Sequence, residues 1–178
     1  SFPQLQELVS QALRILKPGG LLMLETPNPQ NLVVGSYSFF LDPTHTKPIP
    51  WELLEFVTEF SGFSENKVFF LQEPAGISDK VDVTISDVLF GVSPDYSVIA
   101  QKGGSSELNT AIGPLLNADC GVTLSQLSTK YDSRLEGKIE RITNRSIRTE
   151  QQVETFQSGL DHLSTTVQDK DAKIQELT

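Results

Sequence analysis

Asp42 and His45 lie three residues apart in a turn-rich loop that also carries Lys47. A neutral imidazole near pH 7 can take a proton from a hydroxyl group held against it, and a neighbouring carboxylate can orient the ring. The same spacing serves a structural purpose equally well, with Asp42 and His45 bonded to each other or to nearby backbone to fix the loop. A second set of polar groups, Glu25 and Asn28, closes an apolar run. There they can meet a ligand or cap a neighbouring segment. Lys47 can receive an anionic group or stand solvated. Tyr37, with Phe39 and Phe40, can stack on a ring-shaped ligand or pack a lid. With two histidines and one cysteine in the chain, no group has metal-ligand spacing, and no metal is implied.

The elements that must position these groups are marked by punctuation. Leu5, Leu8, Ala12 and Ile15/Leu16 recur at three- and four-residue intervals, which predicts a helix from about Pro3 to Leu16 with those residues as its apolar face. Pro18 cannot continue that helix, and Gly19-Gly20 permits the positive φ that reverses the chain. Leu21 to Leu24 are apolar without alternation, which predicts a strand covered on both faces. Its carboxyl end reaches Glu25 to Asn28, and in open α/β sheets the crevice beyond strand carboxyl ends is where ligands bind. Asn31 to Pro50 reads as one long loop placed to form a lid or ligand wall. Trp51 to Phe60 reads as a helix buried along Leu53/Leu54, Val57 and Phe60 and ended by Gly62. Val68 to Leu71 and Tyr96 to Ala100 read as strands separated by an irregular acidic segment.

The stretch LKPGGLLMLETPNPQNL, from Leu16 to Leu32, resembles the helix, turn and fifth strand of class I S-adenosylmethionine-dependent methyltransferases. FFLDPTHTKPIPWELLEFVTEFSGF resembles a bacterial subgroup of that family associated with O-antigen and other surface polysaccharides, including chain-terminating enzymes. PDYSVIAQK, Pro94 to Lys102, resembles the last strand of the same domain. The resemblance covers residues 1–102 and implies an α/β fold: the C-terminal part of a Rossmann-like sheet whose last two strands pair antiparallel. It implies S-adenosylmethionine as cofactor, with His45 and Asp42 in the catalytic role and Glu25, Asn28, Lys47 and Tyr37 toward the acceptor. The family's glycine-rich turn and following acid, which hold the cofactor, have no counterpart here. Gly19-Gly20 follows a helix and Gly103-Gly104 follows the last strand. The chain therefore reads as an internal piece of a longer protein, inactive alone, with its cofactor-binding residues unknown.

Composition narrows the partners. The 178 residues carry a net charge of −9. An acidic domain argues against nucleic acid, whose phosphates need clustered Lys and Arg. A single cysteine, Cys120, excludes an intrachain disulfide and fits a reducing compartment. No apolar run approaches the roughly 20 residues of a spanning helix. The expected location is the cytoplasm, peripheral to the inner membrane through a partner.

Beyond Lys102 the pattern changes. Residues 103–122 read as a linker opened by Gly103-Gly104-Ser105-Ser106, and 123–178 as a coiled-coil stalk. With Ile139 as heptad position a, the a sites are Ile139, Ser146, Val153, Leu160, Val167 and Ile174; the d sites are Ile142, Thr149, Phe156, Leu163, Lys170 and Leu177. Nine of these twelve are apolar. Leu124, Leu127, Tyr131 and Leu135 continue the stripe upstream through a stutter. Arg145 at g faces Glu150 at the following e of a parallel neighbour, which favours parallel chains as a trimer or dimer. The basic run from Lys130 to Arg148 reads as a solvated face.

The resemblance extends to this arrangement. The chain-terminating methyltransferases set glycan length with such a stalk, which implies a lipid-linked glycan acceptor and a membrane-associated glycosyltransferase as docking partner. A kinase domain found in some relatives has no room in the short segment between the two parts. Two other readings stand beside the polysaccharide methyltransferase: a non-catalytic coiled-coil scaffold carrying a degenerate methyltransferase half, and a small-molecule methyltransferase.

Overall fold

The computed structural model describes residues 1–105 and 113–176. Within the predicted linker, 106–112 lie outside the described residues, as do the d site Leu177 and Thr178. The chain divides into two units, Ser1–Asp132 and Ser133–Thr178.

The first unit opens with α1 (Phe2–Ile15), which leads through the Lys17-Pro18-Gly19-Gly20 turn into β1 (Leu21–Pro27). Gly19 takes a φ of +78°, the left-handed region that Gly enters without steric cost. The turn is tied to the end of the last strand, with Gly19 N–H donating to Lys102 O and Lys102 N–H to Gly20 O, each at 2.9 Å. The long loop predicted over 31–50 instead holds a helical turn, α2 (Leu32–Ser36), and a 3₁₀ turn at Ser38–Leu41. Asn31 explains the first of these. Its side-chain oxygen accepts from Val34 N at 3.1 Å, a cap that satisfies an otherwise orphaned helix donor.

Then come α3 (Trp51–Phe60), β2 (Glu65–Leu71), α4 (Ile85–Phe90) and β3 (Asp95–Gln101). The acidic segment expected to be irregular contains α4, started by a reciprocal Thr84/Asp87 box: Thr84 N donates to Asp87 Oδ2 at 2.7 Å and Asp87 N to Thr84 Oγ1 at 3.3 Å. A short α5 (Gly113–Leu116) precedes the long α6 (Leu124–Glu176).

The three strands form one sheet in the order β1-β3-β2, with β3 antiparallel to both neighbours. β1 and β2 therefore run in the same direction, joined by a crossover through α3. The antiparallel pairing expected of the last two strands is present, with Val68 opposite Val98. One face carries Leu22, Leu24, Ala100, Val98, Tyr96, Val68 and Phe70. It packs on Val9 of α1, on Leu54 and Val57 of α3, and on Phe63 just after α3.

Three further expectations need correction. β1 is not covered on both faces: Leu22 and Leu24 turn inward, whereas Leu21 is exposed and Met23 is 64% exposed. An edge strand keeps its two-residue alternation whatever its composition. The inward face of α1 is Leu5-Val9-Leu13-Leu16: of the expected Leu5, Leu8, Ala12 and Ile15/Leu16, Leu5 and Leu16 lie on it, whereas Leu8 and Ile15 are exposed, because two apolar stripes share this helix and the sheet selects one. On α3 the buried set ends at Val57 and Thr58, while Phe60 is exposed and stacks on Phe56 with centroids 5.6 Å apart.

A third cluster joins Ile77, Val83, Val92 and Val122 to Leu127, with Tyr131 packed against it. The first turns of α6 thus belong to the core of the first unit. Gly121 makes the approach possible: its φ is +80° and a Cβ there would overlap the Phe70 backbone. Phe70 N–H donates to Cys120 O at 3.1 Å, so this segment occupies the outer edge of β2. The outer edge of β1 has no strand partner among the described residues.

The second unit is the remainder of α6. Ile139, Ile142, Val153, Phe156, Leu160, Leu163, Val167 and Ile174 are all exposed, Phe156 by 75%. These are the a and d positions of the heptad reading.

Candidate functional site

The carboxyl ends of β1 and β2 lie on the same side of the sheet, and the segment from Asn28 to Pro50 begins there. Its beginning is fastened by two amides. Asn28 is fully buried; its N–H donates to Pro94 O at 2.7 Å, its side-chain nitrogen to Ser93 O at 2.8 Å, and its side-chain oxygen accepts from Gln30 N at 3.0 Å. Asn31 Nδ2 donates to Val92 O at 2.6 Å. The far end is fastened by Tyr96, a fully buried phenol whose hydroxyl donates to Ile49 O at 2.8 Å. Burial, with Glu52 second, pushes the Tyr96 hydroxyl above its ordinary pKa, so it stays a donor.

Between these fastenings sit Asp42 and His45. Thr44 donates to Asp42 Oδ1 from its hydroxyl at 2.7 Å and from its N–H at 2.8 Å. These two bonds, hydroxyl first, hold the carboxyl below its usual range. His45 N–H donates to Asp42 O at 3.0 Å, and the imidazole stacks on Phe39 with centroids 4.6 Å apart. Nδ1 lies 3.2 Å from Phe39 O. A carbonyl can only accept, so in the neutral ring Nδ1 carries the proton and Nε2 presents the lone pair. Nε2 is 3.8 Å from Asp42 Oδ2. A carboxylate there can stabilise a proton on Nε2. The loop-fixing contacts and the base geometry thus occupy different atoms of the same ring.

The aromatic trio separates by role. Phe39 is buried and supports His45; Tyr37 and Phe40 are exposed, Phe40 meeting Phe39 edge-on at 5.3 Å. Lys47 is exposed. Glu25 stands on the sheet face opposite α1 and α3. Among the described residues no hydrogen bond or ion pair joins Glu25, Asn28 or Lys47 to Asp42 or His45. A cleft of about 300 Å³ opens beside α2, at the end of β2, lined by Asn31, Val33, Ser38, Gln72, Phe90 and Val92 among others. Gln72, directly after β2, holds a φ of +65°, a conformation that strains a non-glycine residue and that concentrates at ligand sites. Nothing in the sequence around Gln72 signals that strain, whereas an Asn before Leu32-Val33-Val34 is a legible cap signal for α2.

The described residues do not fit S-adenosylmethionine. The two glycine pairs available to cradle a carboxylate are closed on each other: a Cβ on Gly104 would fall 2.7 Å from Gly19 N, and the Gly19 and Gly20 N–H groups already donate to Lys102 O and Lys17 O. Among the described residues no group of His, Cys, Asp and Glu has metal-binding geometry. No helix there is long and apolar enough to cross a membrane.

No protein-family model matches this chain. No curated protein matches it. Among solved structures, it is similar to a SAM-dependent methyltransferase from Archaeoglobus fulgidus, at 28% identity and a TM-score of 0.47 over 56% of this chain. The chain spans about half, 52%, of that structure's length.

Proposed function

We propose that this chain is part of an S-adenosylmethionine-dependent O-methyltransferase that caps or modifies a bacterial surface polysaccharide and self-associates through α6. The observation that carries the reading is the sheet: two parallel strands with an antiparallel strand inserted between them. The carboxyl end of β1 leads into the loop that carries His45. Residue-level resemblance at LKPGG, DPTHTKPIP and PDYSVIAQK supports the same reading.

In this reading Phe39 and its carbonyl hold the His45 ring in one tautomer. Nε2 accepts the proton of the acceptor hydroxyl, and Asp42, kept anionic by Thr44, stabilises the resulting imidazolium. Tyr37 and Phe40 offer exposed rings to a sugar, and Lys47 an exposed charge to an anionic acceptor. The cofactor's cradle lies in residues other than those described, so no step is routed through it. The heptad seam is the surface for a parallel trimer or dimer, with Arg145 of one helix meeting Glu150 of its neighbour. A lipid-linked acceptor and a membrane-associated glycosyltransferase complete the proposal.

The test is methyl transfer by the longer protein containing this chain. Labelled methyl should appear on lipid-linked glycan, and His45→Ala should lower turnover by roughly a hundredfold with donor binding retained. Label found only on a free metabolite would refute the polysaccharide assignment. Unchanged turnover in the variant would remove His45 from the mechanism.

A further inference from the structure

The face of the sheet turned away from α1 and α3 carries an acceptor-rich constellation. Glu25 on β1 is directly opposite Ser97 on β3, and Asp95 is one pair further along, opposite Pro27. Residues so placed share a face, with Cβ atoms about 5 Å apart for the direct pair and about 7 Å for the diagonal one. Ser97 is only 3% exposed, yet its hydroxyl has no hydrogen-bond partner among the described residues. A buried hydroxyl without a partner is costly and marks a place where a polar group is owed. Neither carboxylate forms a side-chain hydrogen bond or ion pair among the described residues. Lys67, the basic residue on this face of β2, is engaged with Asp119 at 3.3 Å. Leu21 and Met23 continue the same face of β1 as exposed apolar surface.

We propose that Glu25, Asp95 and Ser97 form a binding site for the ammonium group of an amino sugar, whose apolar ring face lies on Met23. This rests on the glycan reading above and adds an amino-sugar contact on the same glycan, separate from the anionic group offered to Lys47. Two carboxylates and a hydroxyl present mostly acceptors and a surplus of negative charge, so a ligand that matches them must donate several hydrogen bonds and be cationic. Burial and the neighbouring Glu25 raise Asp95 above its ordinary pKa, as expected for like charges without a counter-ion.

The test uses this 178-residue chain and no methyl donor, following backbone and carboxylate NMR signals during titration with glucosamine, with glucose as the neutral control. Glucosamine should shift signals of residues 25, 95 and 97 saturably, and glucose should not. The double variant Glu25→Gln/Asp95→Asn should weaken binding at least about tenfold, and Ser97→Ala, which removes a hydroxyl with no partner, about threefold with the fold retained. Equal shifts with both sugars, no shift with either, or undiminished binding in the double variant would overturn the site. Methyl transfer to glycan without glucosamine binding overturns this site and leaves the function standing; binding without transfer does the reverse.

Discussion

The sheet unit and the long helix place their apolar residues under opposite conditions. In residues 1–132 Leu54 of α3, Val98 of β3 and Leu127 at the start of α6 are buried by partners within the chain, while Phe56 and Phe60 stay exposed. Beyond residue 132 the apolar heptad positions are regularly spaced, yet all that are described are exposed. Apolar residues recur at helical spacing in both regions, more sparsely in the long helix. Periodicity alone does not say what, if anything, covers an apolar stripe. A long exposed apolar stripe on a single helix has too little to bury on its own, since most helical stability in proteins comes from packing an amphipathic face.

Breaking the sheet unit should leave the helix alone. Leu54→Ala removes a side chain enclosed between α3 and the sheet and should cost about 2–5 kcal/mol by chemical denaturation, without altering association through α6. If the variant lost association and stability together, the two regions would not be independent.

A smaller effect sharpens the boundary between them. Thr123 caps α6, its hydroxyl accepting from Gln126 N at 3.2 Å while Thr123 N–H donates to Gln126 Oε1 at 2.8 Å. Thr123→Ala should cost about 1 kcal/mol in the unit that buries Leu127, again measured by denaturant midpoint. The seam beyond residue 132 should not register it.

The smallest effect is electrostatic and confined to the sheet unit. Lys80 first, then Thr84, hold the Asp87 carboxyl down to about 2. Because the folded pKa lies below the unfolded one, this contribution is fully present above about pH 4 and is lost as pH falls toward 2. Denaturation midpoints should therefore drop between pH 4 and pH 2, and Asp87→Asn should flatten that part of the profile. An unchanged profile in the variant would assign the acid sensitivity elsewhere.

What the sequence revealed follows the same division. Element positions were legible where backbone chemistry announces them: Pro18-Gly19 ends α1 and starts β1, and α3 spans Trp51–Phe60 as its apolar pattern requires. The buried face of α1 was not legible, because Leu8/Ile15 and Val9/Leu13 satisfy helical spacing equally and only the sheet distinguishes them. α2 and α4 are too short for periodicity and are announced only by their caps, Asn31 and Thr84. At the site, the Asp42–His45 spacing was legible as a pair within one turn. The support of His45 by Phe39, six positions earlier, depends on the 3₁₀ turn at Ser38–Leu41, and the binding of Asn28 to the segment 93–94 depends on contacts between residues far apart in sequence. Asp95 and Ser97 gain meaning only from the register that sets them beside Glu25.

The account's central claim, that one region is completed within the chain and the other by further copies of it, is tested most directly by sedimentation equilibrium. The 178-residue chain should sediment as a concentration-dependent dimer or trimer, and Val153→Ser/Phe156→Ser/Leu160→Ser should sediment as a monomer with the near-UV signal of the sheet unit unchanged. A chain that stays monomeric at every concentration, or a triple variant that still associates, would contradict it.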